Sequence, residues 1–165
     1  MEISIGIIIG CIIGLIILSA FFSGSETSLT SASKARMHNL AKSGKKNAIA
    51  YEKLFKKKEQ LIGTILLANN LVNVLASALA TSVLIQIFES DGIFYVTIIM
   101  TLMILIFGEL LPKTIALFKA DYIALKISPI FSVLTYIFLP ITSSLNFFVD
   151  FFIRFLRIKD LKNNS

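Results

Sequence analysis

Glu109 sits in the stretch "FGELLPKT", residues 107–114, where a carboxylate, a helix-breaking proline and a lysine close the apolar run "IFYVTIIMTLMILI". A carboxylate at membrane depth needs a proton or a cation to be tolerated. Pro112 has no N–H to offer the carbonyl four residues back, that of Gly108, and its ring pushes against that oxygen. The spacing therefore predicts a released Gly108 carbonyl beside Glu109, one neutral and one anionic oxygen at a single point.

Outside the basic segment, the other strongly polar groups in apolar surroundings are Ser19, Ser23, Ser25 and Glu26, then Asn69, Asn70 and Asn73. Ser19 and Ser23 share one helical face at a spacing of four, and Asn70 and Asn73 share another at a spacing of three. At 1.5 Å per residue, Asn70 lies ~13 Å above Leu61, Glu109 ~13 Å above Phe118, and Ser19 and Ser23 ~16–22 Å above Lys34. With depths agreeing within a turn or two, Ser19, Ser23 and Asn70 are expected to complete an oxygen cage with the Gly108 carbonyl and Glu109. Hard oxygen donors without imidazole or thiolate select Mg²⁺, Ca²⁺ or Na⁺ over zinc or copper. A lone carboxylate leaves a divalent ion's charge uncompensated, which favours modest affinity and release. Taken singly, a serine or asparagine in an apolar helix more often bonds its own backbone or glues helices together. The combination with Glu109 carries the argument.

Other chemistry finds no footing. The serines have no histidine base at their depth, since His38 lies in the basic segment, and the carboxylates do not pair as an intramembrane aspartyl protease requires. Cys11 stands alone in an apolar run, which rules out a disulfide framework. Glu26 has two readings, an inner-end ion pair with Lys34 or Arg36 or a charge reaching the headgroups.

These residues must be positioned by membrane helices. The 165 residues are 56% hydrophobic and 16% charged with a mean hydropathy of +0.83, the composition of an all-α integral membrane protein. Charge-free runs at 3–22, 61–88 and 92–108 predict three spans, about 3–33, 61–88 and 92–118, the last two joined by the acidic turn "ESDG". Nine of the sixteen Lys and Arg fall between Lys34 and Lys58. By the positive-inside rule that segment is cytoplasmic, facing anionic inner-leaflet lipids rather than nucleic acid, and the N-terminus is outside. Apolar residues scattered through 34–58 predict juxtamembrane amphipathic helices broken at Gly44. Residues 120–153 contain a fourth apolar stretch, but it is flanked by lysines and arginines at both ends and carries Pro129 and Pro140. A bent, interfacial or re-entrant element is expected there, followed by a basic C-terminal tail at 154–165. Gly6, Gly10 and Gly14 form a ladder suited to close helix packing, and Ala76 and Ala80 a weaker one.

The blocks "SAFFSGSETSLTSASKAR", "TILLANNLVNVLASALAT" and "IFGELLPKTIAL" resemble, in order and spacing, the transmembrane domain of the CNNM/CorC family of magnesium transporters. The resemblance runs from about residue 5 to about 150. It implies a homodimer with three spanning helices per subunit, a juxtamembrane belt, and export of Mg²⁺ coupled to Na⁺ entry across a bacterial or archaeal plasma membrane. The matching ion ligands are Ser19, Ser23, Asn70, the Gly108 carbonyl and Glu109. Ser25, Glu26, Asn69, Asn73, Pro112 and Lys113 would support them from outside or hold the coupling ion. The family usually continues into cytosolic CBS domains, which these residues do not include, so the chain is expected to be a fragment or a short natural form. Two rivals have other consequences: a Mg²⁺-sensing scaffold without transport, and a Na⁺- or H⁺-coupled carrier of another solute.

Overall fold

The computed structural model describes residues 5–88 and 93–155, all as helices and short links. Helix α1 is Ile5–Ser31, α2 Lys34–Lys42, α3 Lys46–Lys56, α4 Lys58–Phe88, α5 Ile93–Met103, α6 Leu111–Phe118 and α7 Ala120–Phe155. Between α5 and α6 the chain winds as a π-helix, Ile104–Leu110. The "ESDG" turn and most of the basic tail lie outside the described residues.

Among the described residues, four helices are long and apolar enough to cross a membrane: Gly6–Ser31, Lys58–Val83, Thr97–Phe118 and Ala120–Ser144. The fourth was expected to be divided by its prolines, yet α7 runs continuously through Pro129 and Pro140. Its course relative to the other helices is informative. Asp121 meets the end of α1, accepting from the Ser33 N–H at 2.8 Å. Phe131 stacks on Phe21 at 5.9 Å and meets Phe22 edge-on at 6.2 Å, ~15 Å further up α1. Thr142 then lies against Gly63, close to where α4 begins.

Helix α1 is the hub, packing against α4, the π segment, α6 and α7. The core gathers Phe22 and Leu29 of α1, Met37, Tyr51 and Leu54 of the short helices, Leu61 and Ile65 of α4, and Ala124 and Phe131 of α7. Ala76 and Ala80 are buried, as their ladder predicts. Gly10 and Gly14 have open space around them, so that ladder makes no close packing inside the described chain.

The short helices form a collar where α1 ends. Gly44 takes φ +83°, its N–H bonds Ala41 O at 3.0 Å, and the Lys45 N–H bonds Leu40 O at 3.0 Å. This pair of bonds is the Schellman arrangement, in which the left-handed position favours glycine. It turns the chain where the sequence breaks its periodicity. Helix α3 is pinned to α1 by Tyr51, whose hydroxyl donates to Leu29 O at 3.0 Å. Arg36 pairs with Asp121 at 2.7 Å and His38 with Glu52 at 2.6 Å. Of the two readings of Glu26, the ion pair with Lys34 or Arg36 does not form among the described residues: Arg36 takes Asp121 instead, and Lys34 lies over the Phe55 ring at 5.6 Å.

Candidate ion site

Three elements bring their polar groups to one point. From α1, Ser19 and Ser23 are 1% and 0% exposed on the face turned to α4 and the π segment. The Ser19 hydroxyl lies 2.7 Å from Asn73 Oδ1 and 3.2 Å from Asn69 Oδ1. A hydroxyl carries one proton and cannot donate to two oxygens at once. Ser19 donates to Asn73, and either Asn69 turns its amide nitrogen inward or the surplus lone pairs are there for a cation. Asn73 continues the chain of contacts, donating from Nδ2 to Glu109 Oε1 at 3.4 Å. The Ser23 hydroxyl donates to the Glu109 carbonyl at 3.4 Å.

The local winding follows from Pro112. Lacking an N–H, the proline cannot close the turn onto Gly108, and the preceding residues relax into a wider one: the Leu111 N–H bonds Ile106 O, five residues back. The backbone oxygen that α1 reaches belongs to Glu109, one residue beyond the expected Gly108. Gly108 has a different role. It is buried, and a Cβ there would stand 3.1 Å from Ser19 Oγ, so glycine lets the two backbones approach. Gly24 is similarly close to Pro112, its missing Cβ 3.4 Å from the proline carbonyl.

Asn70 and Asn73 line one cleft, in keeping with their spacing, but the asparagines meet Ser19 differently from the roles that the resemblance implies. Asn69 and Asn73, expected outside the cage, are the two that touch Ser19. Asn70, expected as a direct ligand beside Ser19, is exposed and lines an open cleft of about 430 Å³ with Asn73, Ser77, Thr101 and Glu109. Sequence reasoning missed Ser77 and Thr101, which carry no signal apart from other membrane hydroxyls. The spacing of four between Asn69 and Asn73 was the available clue, because it repeats the spacing of Ser19 and Ser23. Ser25 is buried on the far side of α1, beside Phe21 and Pro112, away from Glu109. Glu26 and Lys113 are half-buried and form no ion pair among the described residues.

Among the described residues no three His, Cys, Asp or Glu gather closely enough to hold a metal. A cation at this point would rest on one carboxylate and on neutral hydroxyl, amide and carbonyl oxygens.

A helical bundle with a carboxylate and neutral oxygens converging between apolar helices defines the class, an integral membrane protein with a polar intramembrane site. The family model for the Cyclin M transmembrane N-terminal domain matches residues 10–165, and the chain belongs to that CNNM family. It is similar to the UPF0053 inner membrane protein YfjD of Escherichia coli, 37% identical over 86% of this chain and 33% of the relative. A UPF0053 protein of Haemophilus influenzae is 38% identical over 87% of this chain and 34% of the relative. The polyamine export protein of the same organism is 26% identical over 93% of this chain and 39% of the relative. The chain thus spans about a third of the length of the first two relatives.

Proposed function

We propose that this chain is the membrane part of an exporter of Mg²⁺, coupled to Na⁺ entry and working as a homodimer. The observation that carries the reading is the continuous polar path from Ser19 through Asn73 to Glu109 across three elements. Glu109 supplies the charge, Asn73 and Asn69 the amide oxygens, Ser19 and Ser23 the hydroxyls, and Asn70 a donor in the open cleft beside the carboxylate. Stripping water from Mg²⁺ is costly, so these oxygens replace only part of the hydration shell and the open cleft leaves room for the rest.

The course of α7 supports three spans with the N-terminus outside. Asp121 to Thr142 would cover ~32 Å as a helix, enough to cross the hydrocarbon, yet the two residues meet the collar ends of α1 and α4. A helix that begins and returns on one side lies along the inner interface and dips toward Phe22. A fourth span would carry Arg154, Arg157, Lys159 and Lys162 outside, against the charge rule.

Calorimetric titration of Mg²⁺ into wild type and Glu109→Gln tests the site: loss of binding in the variant is expected, and equal affinities would end the assignment. Na⁺-driven Mg²⁺ flux in proteoliposomes separates export from sensing, because a scaffold would bind without flux.

A second reading is export of an organic polycation. Similarity to a polyamine export protein favours it, as does a cleft of about 430 Å³, far larger than a bare ion needs. Carboxylate, amide and hydroxyl oxygens serve an ammonium as readily as a metal. Competition of spermidine with Mg²⁺ in the same titration decides between them.

A further inference from the structure

A second cavity, of about 440 Å³, opens between α1, α6 and α7 on the side of α1 away from Glu109. We propose that it holds an acyl chain of an anionic phospholipid whose phosphate is met by Lys119 and Lys126. Its walls include Ile17, Phe21, Phe107, Ile115, Ile123 and Ile127, and the one hydroxyl among the lining residues is that of Ser25. The volume is within the usual range for a bound small molecule, and the walls offer an aqueous ligand almost nothing to bond. At the rim, Ile17 and Ile115 are 65% and 52% exposed on helices apolar enough to span, so the opening faces hydrocarbon.

The occupant is identified by the charges at one end. Lys119 is exposed and follows Ile115 and Ala116 by one turn, while Lys126 follows Ile123 by one turn and precedes Ile127. In the chain they stand two residues before and five residues after Asp121, which sits at the collar and is already held by the Ser33 N–H at 2.8 Å and Arg36 at 2.7 Å. Its charge is thereby occupied. The Lys126 ammonium stands over the Tyr122 ring at 5.4 Å, and neither lysine has an acidic partner among the described residues. An apolar slot whose α6 and α7 walls are followed within a turn by two lysines without an acidic partner among the described residues matches one phospholipid, chain and phosphate together. A second copy of the chain could fill the slot with apolar side chains, but it would bring no anion to the lysines. The proposal is independent of which cation Glu109 serves.

The test uses the full chain purified in detergent, with phosphatidylglycerol or phosphatidylcholine of identical acyl chains added and bound lipid read by native mass spectrometry and thermal unfolding. One phosphatidylglycerol per chain is expected, with a raised unfolding midpoint. Lys119→Gln with Lys126→Gln should weaken its binding roughly tenfold or more. Ile115→Trp, which fills the slot from its open side, should abolish retention while far-UV helicity and cation binding stay unchanged. Equal retention of phosphatidylcholine, wild-type affinity for phosphatidylglycerol in either variant, or an equal shift with glycerol phosphate alone would overturn the proposal. So would cross-linking of two copies through Ile115→Cys, in a Cys11→Ser background, undiminished by added phosphatidylglycerol.

Discussion

The hydroxyl of Ser19 and the side-chain oxygen of Asn73 lie 2.7 Å apart, and the same asparagine reaches Glu109 Oε1 from its nitrogen at 3.4 Å. Asn73 is therefore the bridge between the buried face of α1 and the only acid of the π segment. Asn73→Ala should separate the two halves of the site and lower Mg²⁺ affinity roughly ten- to a hundredfold, as loss of a ligand-orienting group commonly does. Asn70→Ala removes a cleft-lining group without cutting the bridge and should cost less. Calorimetry on the two variants checks the order; the reverse order would return Asn70 to the centre.

Gly108 and Gly24 make a paired experiment. A methyl at 108 would meet Ser19 Oγ at 3.1 Å, whereas one at 24 would meet the Pro112 carbonyl at 3.4 Å, an ordinary contact. Gly108→Ala should displace Ser19 and weaken cation binding several-fold, by the general sensitivity of close-packed sites to one added carbon. Gly24→Ala should leave binding near wild type.

Pro112→Ala restores an N–H at the end of the π segment. The wider turn then loses its cause, and the register of Glu109 against Ser23 should shift toward an ordinary α-helix. Weaker cation binding with unchanged helicity is the expected result. Unchanged binding would show that the π segment is held by packing against α1 and owes nothing to the proline.

Tyr51 gives the collar an alkaline limit. Burial first, and the negative charge of Asp121 second, push its phenol up from 10.0 to about 12. A raised phenol pKa means that the folded state keeps its proton where the unfolded chain has lost it. The stabilisation is fully present below pH ~10 and is lost as pH rises toward about 12. Unfolding midpoints measured across that window should fall in wild type and fall less in Tyr51→Phe. At neutral pH the same variant should lose about 1 kcal/mol, because Leu29 O gives up a bonded hydroxyl.

Gly44→Ala should cost the collar about 1 kcal/mol, the strain of a side chain in the left-handed region. Chemical unfolding in mild detergent measures it. Gly44→Asn should recover part of the loss, since asparagine tolerates that conformation better than alanine.

The helices were legible because charge-free runs of membrane length leave few alternatives, and Gly44 was legible because a glycine between two charged amphipathic stretches has little other use. Glu109 was legible for the opposite reason, as a carboxylate out of place in an apolar run. The asparagine register was not legible, because "NNLVN" offers spacings of three and four and only the rotation of α4 against α1 chooses between them. The one-residue slip from the Gly108 to the Glu109 carbonyl was also hidden, since a proline announces a disturbed turn without saying whether the helix kinks or widens. The prolines of α7 misled in the direction of a break. There Ser128, Ser132, Thr135 and Ser144 bond carbonyls of the preceding turn, and packing on Phe21 and Phe22 keeps the helix whole. Tyr51 with Leu29 and Arg36 with Asp121 join residues far apart in the chain, and no local pattern announces such pairs.

Asp121 grips the backbone just past the end of α1, and from Ser31 back to Ser19 that helix runs unbroken for ~18 Å. A rod has little slack. Any tug that slides or rolls the start of α7 is delivered at the far end as a movement of Ser19 and Ser23, the hydroxyls that face Asn73 and Glu109. A partner that docks on the collar and moves this one aspartate would shift the polar site from a distance, without itself entering the bilayer.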